Sequence, residues 1–159
     1  MSAPDFAVPV DQRYFEDYVV GSTYEYGTAA VDEREAIAFA KQFDPQPIHI
    51  DPVAAARGPF GGLIASGWHT TALMMRLFVD HYLSSVASLA SPGIDELRWL
   101  KPVRPGDALR IRVTVTEARR SRSKPDRGIV RTLIEVLNQR GETVSTMNAM
   151  NLLRCRHVG

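Results

Sequence analysis

Tyr24 to Val31 form a short β-rich run, and Asp32 after it offers a side-chain oxygen to cap a helix, with Glu35 three residues on as in a capping box. Ala36, Ile37, Ala40 and Phe43 then recur at helical spacing, so a helix is expected up to Asp44-Pro45, where the proline disfavours a helical predecessor. Asp51-Pro52 repeats the start signal and predicts a short helical piece through Ala56. His49 is thereby expected on a loop between two helical pieces.

Gly58-Pro-Phe-Gly-Gly62 is loop chemistry, and from Ser66 or Gly67 to about Ser84 the pattern turns helical, a length of roughly 27 Å. Trp68, Ala72, Met75 and Val79 make one apolar stripe, and Leu73, Met74, Leu77, Phe78 and Tyr82 widen it over much of the circumference. A helix so apolar is expected to be buried. From Gly93 onward the period changes to two: Leu109, Ile111, Val113 and Val115 alternate with Arg110, Arg112, Thr114 and Thr116, the signature of a half-buried antiparallel strand. Ile129 to Leu137 is a second such run, and Asn138-Gln-Arg-Gly141 supplies a hairpin turn before a last strand to Leu153. The segment ARRSRSKPDR reads as an exposed, solvated hairpin loop. One long apolar helix and a run of antiparallel strands imply an α+β domain with the sheet wrapped around that helix.

Composition narrows the class. The 159 residues are 45% hydrophobic and 23% charged, which is one ordinary globular domain, residues 14–159 behind an N-terminal tail of residues 1–13 expected to be loose. A formal charge of +1 argues against a nucleic acid or an anionic membrane as partner. Cys155 is the only cysteine, which suits a reducing, cytoplasmic compartment. The N-terminal run MSAPDFAVPV has neither the basic start nor the apolar core of a secretory signal, and no stretch approaches the roughly 18 apolar residues of a membrane span.

The stretch FDPQPIHID concentrates the candidate chemistry. Its two prolines fix two φ angles and hold Asp44 and His49 in one mutual geometry, although taken alone an Asp-Pro turn with a surface histidine explains it as well. Four segments in order, RYFEDYVVG, DPQPIHID, GGLIASGW and LKPVRPGD, carry a resemblance to the MaoC-like dehydratases, or R-specific enoyl-CoA hydratases, and with the later strands it covers nearly the whole chain. That resemblance implies the hot-dog fold and reversible hydration of an acyl thioester. The family motif puts the histidine five positions after the acid, as Asp44 and His49 stand here, with Pro47 and Ile48 in register. By resemblance these two are the catalytic pair, and the Gly67 N–H is the oxyanion donor. Phe43 and Gln46 replace the family's usual glycine and asparagine.

By the same reading Ser66, Trp68 and His69 are candidates for contact with substrate. Ser66 reads better as a helix cap than as a nucleophile, because no GxSxG elbow surrounds it, and Asp51 as a cap rather than a second acid. His69 reads equally as a packed histidine, and His81 and His157 as structural or exposed. A metal held by Asp44, His49, Asp51 and His69 matches no known ligand spacing, so no metal and no cofactor beyond the acyl-CoA substrate are expected. Gly62 to Gly67 has the glycine spacing of a phosphate loop but Trp68 where the lysine belongs. Arg119, Arg120, Arg122 and Lys124 are candidate contacts to carrier phosphates, a solvated loop being the default. A homodimer formed through sheet edges is expected, and the competing functions are a thioesterase on the same fold or a non-catalytic acyl-binding subunit.

Overall fold

The computed structural model describes residues 4–158. After a short 3-10 turn at Phe15–Asp17 come β1 (Thr23–Ala30), α1 (Glu33–Phe43), α2 (Pro47–Ile50), α3 (Pro52–Ala56), α4 (Gly67–His81) and the strands β2 (Ser88–Trp99), β3 (Ala108–Arg120), β4 (Arg127–Leu137) and β5 (Thr143–Arg154). The five strands form one antiparallel sheet in the order β1-β3-β4-β5-β2. Its inner face closes on α4: Leu109, Ile111, Val113 and Val115 of β3 pack with Val130, Ile134 and Val136 of β4 against Met74, Leu77 and Phe78. This is the hot-dog arrangement.

Local signals account for most boundaries. Asp32 caps α1, its Oδ2 accepting the Glu35 N–H at 3.0 Å, and the helix stops at Phe43 ahead of Asp44-Pro45. Asp51 caps α3, with Oδ1 accepting from the N–H groups of Val53 and Ala54. Gly141 adopts φ +74° in the β4–β5 turn, a conformation open to glycine at little cost.

Four expectations are corrected. His49 is not on a loop but in the single turn of α2, because Pro47 at the first helical position needs no amide donor and nucleates the turn. Helix α4 ends at His81 rather than near Ser84. The stripe of Trp68, Ala72, Met75 and Val79 faces outward, with Trp68 54% exposed, while His69, Thr70, Met74, Leu77 and Phe78 form the buried face. Strand β2 begins at Ser88, before the period of two is visible; it is the sheet's edge, where Pro92 costs no ladder bond and three irregularities interrupt the pairing with β5.

Residues 4–13 are not loose either, and residues 1–3 lie outside the described residues. Phe6 stacks on Tyr24 with centroids 4.7 Å apart, and the guanidinium of Arg13 lies 3.6 Å from its ring centroid. Arg13 is 4% exposed and donates to the carbonyls of Val8, His81 and Tyr82. The last two close the C-terminus of α4, where a cation is favoured. Tyr18 Oη donates to the Tyr82 carbonyl at 2.7 Å and accepts from the Ser84 N–H at 2.8 Å, so RYFEDYVVG is a clamp on the end of α4. Replacing Arg13 by Met should lower unfolding stability by about 2–3 kcal/mol, the scale of lost hydrogen bonds to a charged group. Urea denaturation read by circular dichroism checks this, with the midpoint expected to fall.

Candidate functional site

The C-terminal end of α1, α2 and the N-terminus of α4 converge because two residues between them are tied on both sides. The Ile64 N–H donates to the Ile48 carbonyl at 3.2 Å, and the Ile64 carbonyl lies 2.8 Å from His49 Nδ1. The Ala65 N–H donates to the Val103 carbonyl at 2.8 Å. The segment LKPVRPGD therefore serves as a strut: Asp107 Oδ2 accepts the Arg104 N–H at 2.9 Å and holds its turn, and Val103 carries the chain that enters α4.

A carbonyl oxygen can only accept, so His49 Nδ1 carries a proton and donates it to Ile64, which leaves Nε2 turned toward Asp44. Nε2 stands 3.4 Å from Asp44 Oδ2, beyond an ordinary hydrogen bond, with His49 buried and the Asp44 side chain 18% exposed. Asp44 is held from both sides. Gln46 Nε2 donates to Oδ1 at 2.6 Å, and Ser66 Oγ donates to Oδ2 at 2.7 Å. The Gln46 amide, then the Ser66 hydroxyl, hold the Asp44 carboxyl below its usual range. Gln46, which no spacing argument singled out as a contact, is thus part of the site.

Ser66 Oγ also accepts the Trp68 N–H at 3.2 Å, so it is the N-cap of α4 as expected. Gly67 is the first helical residue, and its N–H has no hydrogen-bond acceptor among the described residues. The need for glycine is local packing: a Cβ at Gly67 would lie 2.4–2.8 Å from three atoms of the Trp99 indole. A cavity of about 300 Å³ opens here, lined by His49, Ile64, Gly67, Trp99, Val103 and Val144 among others. Trp99, Val103 and Val144 escaped the reading of the sequence because a strand end, a turn and a hairpin far apart in the chain meet only in the fold.

Trp68 and His69 are not in this cavity. Trp68 lies on the outer face of α4 with its ring 5.1 Å from that of Trp99, and His69 turns inward onto Phe39 of α1 at the same centroid spacing. Asp51 is engaged in capping α3. Among the described residues no group of three or more His, Cys, Asp or Glu side chains is arranged to hold a metal ion. No described helix is long and apolar enough to cross a membrane.

The comparisons with known proteins bear on this geometry. Residues 17–137 match the family model described as the MaoC like domain. The chain belongs to the MaoC-like dehydratase family. It is similar to the crystal structure of a MaoC-like dehydratase from Rhodospirillum rubrum, with 41% identity and a TM-score of 0.84 over 92% of this chain and 99% of that one. An unliganded R-hydratase from Pseudomonas aeruginosa aligns at 28% identity and a TM-score of 0.69, covering 91% of this chain and 86% of the other. In sequence, the 3-hydroxybutyryl-CoA dehydratase of Methylorubrum extorquens is 34% identical over 111 residues, 65% of this chain and 64% of that enzyme. The 3-hydroxyacyl-thioester dehydratase Z of Mycobacterium tuberculosis is 43% identical over 68 residues, a match that spans 42% of this chain and 45% of its own length.

His69 has neither ring nitrogen hydrogen-bonded and is 6% exposed, so burial pushes its pKa below the ordinary 6.5, against a weaker opposing pull from Glu35 on α1. The unfolded chain then binds more protons than the folded one between the lowered value and about 6.5, so His69 makes stability fall as the pH drops through that interval. Replacement by Phe should flatten that segment of the stability profile. Urea midpoints of the two proteins between pH 7.5 and 5 check it, with the difference expected to narrow or reverse toward low pH.

Proposed function

We propose that the chain catalyses reversible addition of water to a 2-enoyl-CoA to give a 3-hydroxyacyl-CoA. The carrying observation is the pairing of an ionised carboxylate, held by Gln46 and Ser66, with an imidazole whose proton is committed to the Ile64 carbonyl. Asp44 Oδ2 and His49 Nε2 are then two acceptors facing each other, and one water donates a proton to each. In hydration Asp44 takes a proton from that water while His49 orients its oxygen toward the β-carbon, and the Asp44–His49 pair then returns that proton to the α-carbon as the enolate collapses. The Gly67 N–H, at the positive end of α4, is the donor for the thioester oxygen as enolate charge develops. Dehydration runs the same arrangement backward. The name of the Methylorubrum relative supports CoA as the carrier.

A thioesterase would need water directed at the carbonyl carbon and usually a different placement of the acid, whereas Asp44 and His49 have the spacing of the dehydratase motif. An acyl-binding subunit would not need an ionised acid held from two sides. The test follows the ultraviolet absorbance of the enoyl thioester on adding protein to a panel of 2-enoyl-CoA substrates. Absorbance should be lost without release of free thiol, and Asp44→Asn and His49→Ala should each lower kcat/KM by about 100- to 10,000-fold. Release of thiol would favour the thioesterase, and binding without turnover the subunit.

We also propose a homodimer. The outward stripe of α4 and the β2 residues Ile94 and Trp99 leave a large apolar surface along an open sheet edge, of the kind that proteins cover. A buried Cys155 without a partner accords with a reducing, cytoplasmic setting. Met75→Glu with Val79→Glu should convert the dimer to monomer, as light scattering after gel filtration would report.

A further inference from the structure

We infer that Trp99 sets which acyl groups this site accepts, by closing the space beside the Gly67 N–H. The inference rests on the enoyl-thioester reading above. The contact at Gly67 is at van der Waals limit, since even one methyl added there would overlap the indole. No acyl atom can therefore pass between the Trp99 ring and the first turn of α4. The ring is also fixed in orientation. Its Nε1–H donates to Thr71 Oγ1 at 3.2 Å, and the Thr71 hydroxyl donates to the Gly67 carbonyl at 2.9 Å. Thr71 and Gly67 are one helical turn apart, so this chain of two hydrogen bonds ties the indole to the first turn of α4, whose Gly67 lines the cavity.

Trp99 also lines the cavity, whose volume of about 300 Å³ is at the small end for ligand sites. The remaining walls come from backbone-tied positions, Ile64 and Val103 among them, which a ligand does not displace cheaply. Trp99 differs from them: it ends the edge strand β2, is 45% exposed, and its indole is held by the Thr71 hydrogen bond, the contact at Gly67 and the edge-on ring of Trp68. With the indole in place the site takes a short, unbranched acyl group; without it the space extends over the first turn of α4 toward Thr71. Phe60, at the cavity's other margin, is carried on a loop pinned by the Arg104 bond to its carbonyl and does not border Gly67 in this way.

The experiment compares kcat/KM for crotonyl-CoA, 2-octenoyl-CoA and cinnamoyl-CoA in the wild type, Trp99→Ala, Trp99→Phe and Thr71→Val. The wild type should prefer crotonyl-CoA. In Trp99→Ala the ratio of either bulky substrate to crotonyl-CoA should rise by roughly tenfold or more, the scale on which apolar pockets discriminate by size. Trp99→Phe and Thr71→Val should move the ratio in the same direction by less, the second by freeing the ring without shrinking it. Gel filtration of each variant keeps a change of assembly separate from a change of pocket, and Thr71→Val, which leaves every aromatic surface intact, carries the test if Trp99→Ala does not fold. Ratios that stay within twofold in variants that still hydrate crotonyl-CoA would overturn the assignment of Trp99 and leave the hydratase reading standing. A wild type that hydrates none of the three would overturn both.

Discussion

The Ser66 hydroxyl joins the fold to the candidate site. It accepts the Trp68 N–H and so caps α4, and it donates its one proton to Asp44 Oδ2. The direction of the Asp44 bond follows from the acid, since an ionised carboxylate only accepts and the hydroxyl proton is the one available to it. Ser66 is fully buried, and without it the Trp68 N–H would lose its cap and Asp44 one of its two hydrogen-bond donors. The start of the central helix and the position of the acid are therefore not independent. Moving one moves the other.

The opposite end of α4 is held just as firmly, by different means. Arg13 and Tyr18 converge on the carbonyls of His81 and Tyr82, and the Ser84 hydroxyl donates to the Arg13 carbonyl at 2.6 Å while accepting the Ala87 N–H. The helix is thus suspended between a cap that faces the site and a clamp that faces away from it, with the sheet closing on the side between. Two of the four segments that suggested the family act through these ends. RYFEDYVVG clamps one, and GGLIASGW builds the other; LKPVRPGD braces the approach to it through Val103. DPQPIHID supplies the acid and the imidazole, and GGLIASGW adds the Ser66 hydroxyl that bonds the acid.

That division explains what the chain made legible before the fold was known. Caps and periodicities are local, so α1, α3, the alternating strands and the β4–β5 turn could be read within a few residues, and the pairing of Asp44 with His49 followed from spacing and resemblance. The faces of α4 could not be read in this way. Its apolar residues cover most of the circumference, so periodicity gives no direction, and the sheet happens to close on Met74, Leu77 and Phe78 rather than on Trp68, Met75 and Val79. For the same reason His69 stayed open between substrate contact and packing, since one step of 100° separates a residue that faces solvent from one that packs on Phe39. Strand β2 was half hidden because Pro92 and Gly93 carry turn signals that an edge strand tolerates.

Asp44 itself shows how opposing fields are balanced. It follows the C-terminus of α1, where the helix dipole disfavours a negative charge, and its own N–H is spent on the Ala40 carbonyl. Its carboxylate, however, reaches the N-terminus of α4 through Ser66, where the dipole has the favourable sign. Gln46 contributes the remaining donor from two residues along the chain, and the same segment is closed by the Gln46 N–H bond to the Asp44 carbonyl at 2.8 Å. The longer glutamine amide suits this reach because Pro45 extends the backbone between the two residues. Gln46, standing where the family usually has asparagine, thus still bonds the acid and, with Ser66, holds the Asp44 carboxyl below its usual range.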